Sequence, residues 1–303
     1  MKRMSAWLLD KPWNAVAACM LLSVFAVSGA PVVLIGIVIS SVVALLTLHR
    51  GSQSGFMLVA SLVVVACLSL LSTGYSGVII AAGAICSLLG SLVYQRYQSW
   101  TLVVECLGLL VVLAVVAVHL LVPDVSKFWF DTIMASKVPS QLKSMMATVS
   151  ASDIQTLVKQ VSAVATGNLG LMFAIALVVS FILTSSLSKR SDEPGVITDR
   201  FTLIRAGFVP LLLVIAIWLG AYLTMPLAVD LRYLALFPFL VGGISLLHYF
   251  AEGTSISSLI LVLVYFGFFV HDVTLKTACV LGLFDTVFDL RKRFTDLKKS
   301  VHK

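Results

Sequence analysis

The residues best placed to do chemistry are two carboxylates near the end of the chain, Asp285 and Asp289. With Ala278 and Gly282 they fall at i, i+4, i+7 and i+11, one stripe of a helix. Small residues on such a stripe let another helix approach closely. The two carboxylates would then face the protein interior or a polar cleft. Arg291, Lys292 and Arg293 follow directly. Three kinds of chemistry fit this arrangement: structural ion pairing with an arginine, binding of a proton, cation or substrate, and docking of a partner subunit. Glu105 is the next candidate. It lies five residues past Trp100, about 7–8 Å along a helix axis, within reach of Arg96 or Arg205. Asp285, Asp289, Glu105 and Arg205 are therefore the candidate substrate- or ion-binding residues, and Arg291, Lys292 and Arg293 are candidates for topology and lipid anchoring.

The histidines suggest less. His119 stands alone, His248 and Glu252 are four apart, and His271 and Asp272 are adjacent, but no third ligand accompanies any of them. No metal site is expected. Gly51-Ser52-Gln53-Ser54-Gly55 carries Gln where a nucleophile would stand, so it reads as a turn. The chain has no phosphate-binding loop and no zinc-protease motif, so nucleotide hydrolysis is not expected. A lipid-active enzyme would need His248, Glu252 and Glu105 to converge. The five cysteines all lie in apolar runs, with no C-x-x-C pair, and read as packing residues. No catalytic residue and no cofactor is expected.

These groups need elements to hold them, and the composition says which kind. Of 303 residues, 60% are hydrophobic and 12% charged, about half the charge of a soluble domain. Mean hydropathy is +1.07. Such a chain cannot cover a water-exposed surface with polar groups, and lipid leaves helices as the way to satisfy the backbone. Apolar runs predict ten membrane segments: 13–29, 31–48, 56–72, 78–94, 100–122, 168–187, 206–225, 234–250, 256–270 and 276–290. The first two are separated only by Ala30 and could form a tight or re-entrant hairpin. The last, with its two aspartates, could be a tilted helix short of a full span, so the range is eight to ten. The fold class expected is an all-α polytopic helix bundle, a single integral membrane domain over 1–303.

Charge gives the orientation. Lys127, Lys137, Lys143, Lys159, Arg232 and Lys276 fall on one side of this topology, which leaves fifteen of the 21 Lys and Arg on the other. By the positive-inside rule the richer side is cytoplasmic, with both termini inside. This also accounts for the net charge of +7 without nucleic acid. The start resembles a signal peptide, with Lys2, Arg3 and a small-x-small site at Ser28-Gly29-Ala30, but Pro31 would hinder cleavage and the reading is an uncleaved first span.

The longest polar stretch, 123–167, is expected outside as one or two amphipathic helices. Ser152 is the expected cap with Gln155 at the capping-box position. Ile154, Leu157, Val158 and Val161 form the apolar face, and Phe128-Trp129-Phe130 suits a membrane interface. It would serve as a structural cap or as a lid. On the inner side, 188–205 turns at Pro194-Gly195, and the basic tail 291–303 suits anionic lipid.

Several of these landmarks together resemble the YybS-like family of uncharacterised bacterial inner-membrane proteins. They are the span from Pro31 to the His49-Arg50-Gly51 turn, then the inner loop with Pro194, Gly195, Asp199, Phe201 and Arg205, and finally a G-x-x-D-x-x-x-D-x-R-[KR]-R pattern at Gly282, Asp285, Asp289, Arg291, Lys292 and Arg293. Where such proteins often have Asn-Pro-Gly-Gly and a Glu, this chain has Glu193-Pro194-Gly195-Val196 and Asp199. The family is distantly similar to the membrane substrate-binding subunits of energy-coupling-factor vitamin transporters. That resemblance implies small-molecule binding within a helical bundle, with ATPase and scaffold supplied by other subunits. The leading expectation is a protein that binds or moves a small solute without its own ATPase. The alternative is a structural or assembly protein that docks partner subunits. Membrane lipids and a partner membrane subunit are the expected partners, the small-molecule ligand is unidentified, and nucleic acid is not expected.

Overall fold

The computed structural model of the chain describes residues 2–27, 31–71, 75–145, 150–188, 201–252, 257–270 and 272–294. Among the described residues the regular structure is entirely helical. The first half holds α1 (Lys2–Asp10), α2 (Pro12–Val27), α3 (Val32–Arg50), α4 (Ser52–Leu71), α5 (Ser76–Tyr97) and α6 (Trp100–Leu121). Three short helices follow: α7 (Val125–Ala135), α8 (Val138–Met145) and α9 (Ala151–Ser162). The second half holds α10 (Ala165–Ser188), α11 (Phe208–Tyr222), α12 (Pro226–Leu231), α13 (Phe237–Ala251), α14 (Ser257–Val270) and α15 (Asp272–Phe288). 3₁₀ turns at Phe201–Leu203 and Leu234–Leu236 precede α11 and α13.

Six helices are long and apolar enough to cross a membrane among the described residues: α3, α4, α5, α6, α10 and the stretch Leu234–Ala251. α2 and α11 are apolar but shorter. α14 and α15 meet at a 118° bend, the geometry of a broken span or a re-entrant loop. The segments expected from the apolar runs thus all carry helices, but four of the ten are not independent full-length ones. The Ser28-Gly29-Ala30 site, the Pro194-Gly195 turn with Asp199, His271 and the end of the basic tail lie outside the described residues.

Short junctions set the ends. Gly51, at φ +88°, breaks α3 from α4 in a conformation that suits glycine, and Gln98 in the left-handed region ends α5. The Ser99 hydroxyl caps α6 by accepting from the Leu102 amide. The cap of α9 is Ser150, in a reciprocal box with Asp153, rather than Ser152 with Gln155. Its expected apolar face is split: Ile154 and Val158 are buried, while Leu157 and Val161 are exposed.

Two apolar clusters make the core. One joins α1 to α5 through Leu8, Cys19, Ile39, Leu58, Leu62 and Leu88. The other joins α6, α10 and α13 through Val103, Leu107, Phe181, Phe237 and Phe239. Trp100 meets Tyr94 and Phe181 edge-on within it. Hydroxyls link α3 to α10: Ser41 donates to the Ser180 carbonyl at 3.0 Å and Thr184 donates back to the Ser41 carbonyl at 3.1 Å. In an apolar surround such hydroxyls hold helices together that lipid would not drive together.

Contacts between helix ends sort the bundle into two ends. At the first, Arg50 donates to the Leu9 and Asp10 carbonyls, His49 meets Ser188, Gln95 donates to Thr47, and the segment 201–207 meets α6, α13 and α15. At the second, α7 to α9 connect α6 to α10, and α12 lies beside them. Arg50, Arg96, Arg205, Arg291, Lys292 and Arg293 belong to the first end, and Lys127, Lys159 and Arg232 to the second.

Candidate functional site

The chemistry at the first end is organised by a strap, residues 201–207, that links the 3₁₀ turn to α11. Beyond Leu203 its backbone is not helical, so its polar groups need partners from elsewhere. α15 and the residues after it supply most of them. Arg291 reaches in from beyond the end of α15. Its Nε donates to Asp285 Oδ2 at 3.0 Å, and its Nη2 donates to the Ile204 carbonyl at 2.6 Å and to Ser245 Oγ at 3.2 Å. Its Nη1 donates to the Thr202 carbonyl. Arg205 donates to the Thr286 carbonyl at 2.9 Å and pairs with Asp289 Oδ2 at 3.0 Å. Thr286 donates to the Ala206 carbonyl, and Ser245 to the Phe201 carbonyl.

The two aspartates of the C-terminal stripe therefore part company. Asp285 is fully buried, held by Arg291 and by the Leu290 amide. Asp289 takes φ +50°, which ends α15, and its side chain stays 42% exposed against Arg205. Asp tolerates that left-handed turn better than most residues. The small residues of the stripe do reach another helix. A Cβ added to Gly243 or Gly282 would collide with the backbone of Ala278 or Phe239, so α13 and α15 cross backbone to backbone. The three candidates for lipid anchoring are also placed differently from one another. Arg291 is engaged inside the protein, whereas Lys292 and Arg293 are exposed. Burial lowers the Arg291 guanidinium from its ordinary value, and the Asp285 carboxylate opposes that shift.

Glu105 sits across the strap from these pairs, on α6. Its Oε1 accepts from the Gly207 amide at 2.6 Å, which is the N-cap of α11. A carboxylate at a helix N-terminus is favoured by the unpaired amides there. Among the described residues no ion pair joins it to Arg96 or Arg205, and Oε2 carries no hydrogen bond. Glu105 lines a cleft of about 500 Å³ between α6, α11 and the start of α13. The walls are apolar, with Leu109, Val112, Leu213 and Pro238 among them, and Tyr97 and Cys106 stand near the carboxylate end. Glu105 is the one charged side chain of the lining among the described residues.

α11 forms the loose wall. Only Pro210, Val214 and Ile217 of it are buried, and it packs mainly on α12 and the Leu234–Leu236 turn. The helix is thus held at its two ends, by Gly207 and by α12, and between them by one narrow buried stripe.

His248 is held at 2.7 Å by the Tyr265 hydroxyl and edge-on by Phe201. Among the described residues no hydrogen bond or ion pair joins it to Glu105. No group of three or more His, Cys, Asp or Glu among the described residues could hold a metal ion.

Sequence reasoning missed Asp230. It lies on the short α12 and is 1% exposed. Its Oδ1 accepts from the Gly167 amide in the first turn of α10 at 2.7 Å, and its Oδ2 meets His119 Nε2 at 2.9 Å. It caps α10 from another part of the chain and turns the apparently lone His119 into its partner. The signal available was an acid four residues past Pro226 in an otherwise apolar stretch.

No family model matches the chain, and neither curated proteins nor solved structures include a match to it.

Proposed function

We propose that this is a bacterial inner-membrane protein that binds or moves a small solute and has no ATPase of its own. In this reading the chain forms about ten membrane segments, eight to ten, with α7 to α9 outside. The end that carries Arg50, Arg205 and Arg291 faces the cytoplasm, as do both termini, in keeping with the positive-inside rule. The YybS-like resemblance of the Gly282 to Arg293 pattern points the same way.

The observation that carries the reading is the cleft at Glu105. Its volume falls within the roughly 300–1,000 Å³ of ligand pockets, and it has the usual make-up of apolar walls with few polar groups. The Asp285 and Arg291 pair is fully engaged with its neighbours and leaves Glu105 as the better-placed binding group. The test is extraction of small molecules from protein purified in mild detergent, followed by mass spectrometry. A species that co-purifies with the wild type should be depleted in Leu109→Trp, where the indole fills the cleft. Equal recovery from both, or recovery from neither, overturns the reading.

One observation favours a second reading, the docking of a partner membrane subunit. α11 turns Phe208, Leu212, Trp218 and Tyr222 outward. A photo-crosslinking residue at Leu212 should then capture one discrete protein in native membranes. Capture of lipid alone would remove this reading.

A further inference from the structure

We infer that the cleft between α6 and α11 selects an apolar organic cation, with Glu105 Oε2 as its counter-charge. The inference rests on the cleft being a binding site and names the chemistry of its ligand.

Three observations carry it. The first is the division of labour within one carboxylate. Oε1 is used by the Gly207 amide at 2.6 Å, within hydrogen-bond distance. Oε2 has no hydrogen-bond partner among the described residues, and Glu105 lines the cavity. A charge in an apolar surround is unfavourable unless it is paired. The strap amide satisfies half of it, and a cation in the cleft would satisfy the rest.

The second is what the lining lacks. Among the described residues no Lys, Arg or His borders the cavity, so an anionic ligand would meet Glu105 with nothing to offset the repulsion. Two positive groups at this end are committed elsewhere: Arg205 to Asp289 and Thr286, and Arg291 to Asp285 and the strap carbonyls. The Tyr97 ring among the lining residues adds a face on which a cation can rest.

The third is access. Val209 and Leu213 of α11 and Leu102 and Leu109 of α6 line the cavity and are also exposed on the outer surface of the bundle. In a bilayer the cleft opens sideways to the acyl chains. A ligand with an apolar body would enter from there and bring its charge to the boundary end, where Glu105 lies five residues into α6.

Tetraphenylphosphonium and tetraphenylborate share a shape and differ in the sign of their charge, so they test the inference directly. Binding of each, radiolabelled, to full-length protein in detergent is measured against Leu109→Trp protein as background. The phosphonium should bind and the borate should not. Glu105→Gln keeps an oxygen for the Gly207 amide, and it should weaken phosphonium binding at least about tenfold, the effect of losing a counter-charge at contact distance in a low-dielectric site. Its melting temperature should stay near that of the wild type. Equal binding of the two ions, no binding of the phosphonium, or unchanged affinity in Glu105→Gln overturns the inference. Equal binding that Leu109→Trp abolishes would leave the cleft as a binding site and remove only its charge selectivity.

Discussion

Gly282→Ala and Gly243→Ala are each expected to force α13 and α15 apart and to lower the melting temperature of the purified protein by about 5 °C or more. A Cβ at Gly243 would stand 1.8 Å from the Ala278 carbonyl oxygen, and one at Gly282 would stand 2.0 Å from that of Phe239. Both obstacles are backbone, so no side chain can swing aside. Overpacking of this kind is unfavourable by roughly 1–3 kcal/mol or more. Alanine gains at most about 1 kcal/mol over glycine in helix propensity, so the clash wins. Gly36 on α3 supplies the control, because a Cβ there meets nothing within 4 Å. Gly36→Ala should leave the melting temperature unchanged or raise it. In a Cys67→Ser background, which removes the exposed thiol, a thiol-reactive dye reports unfolding, since Cys19 is buried in the core of the first half. Should Gly282→Ala melt where Gly36→Ala does, the backbone crossing is not what holds these helices.

Arg291→Gln is expected to destabilise the protein by about 3–5 kcal/mol, because it strands the Asp285 carboxylate in a fully buried site. The strap carbonyls of Thr202 and Ile204 lose their donor as well. Asp289→Asn makes the informative comparison. Its partner Arg205 and its own side chain are both partly exposed, so the loss should be at most about 1 kcal/mol. Thermal unfolding of the two variants side by side measures the difference. The double variant Asp285→Asn/Arg291→Gln should lose less than the sum of its parts, since it leaves no unpaired charge behind. Equal losses for Arg291→Gln and Asp289→Asn would mean that burial does not distinguish the two pairs.

Helix positions were legible because apolar runs in this chain end where helices end. The run 100–122 became Trp100–Leu121, and the run 168–187 became Ala165–Ser188. Helix lengths were less legible. The apolar run 206–225 carries a helix of only 15 residues, because the strap takes its first residues and a turn its last. At the site, side-chain identity pointed to Glu105, Arg205, Asp285 and Asp289, but it read Arg291 as a lipid anchor, and pairing was beyond its reach. Glu105 bonds a backbone amide 102 residues away, and no periodicity encodes that. The stripe from Ala278 to Asp289 assumed an unbroken helix. It holds through Asp285 and fails at Asp289, whose left-handed turn swings the chain around so that Arg291 can face inward. Asp230 escaped notice because its value comes from Gly167 and His119, which only tertiary structure brings to it.

The strap also has a history within each molecule's synthesis. Thr202 and Ile204 leave the ribosome 89 and 87 residues ahead of the arginine that binds their carbonyls. At ordinary translation speeds of about 5–20 residues per second, that is a wait of roughly 4–18 seconds. During it α11 to α15 must emerge while the strap lacks its main donor. The turn that carries Arg291 is therefore the one that closes the fold, and a nascent protein halted before it would hold most of its helices with this seam still open.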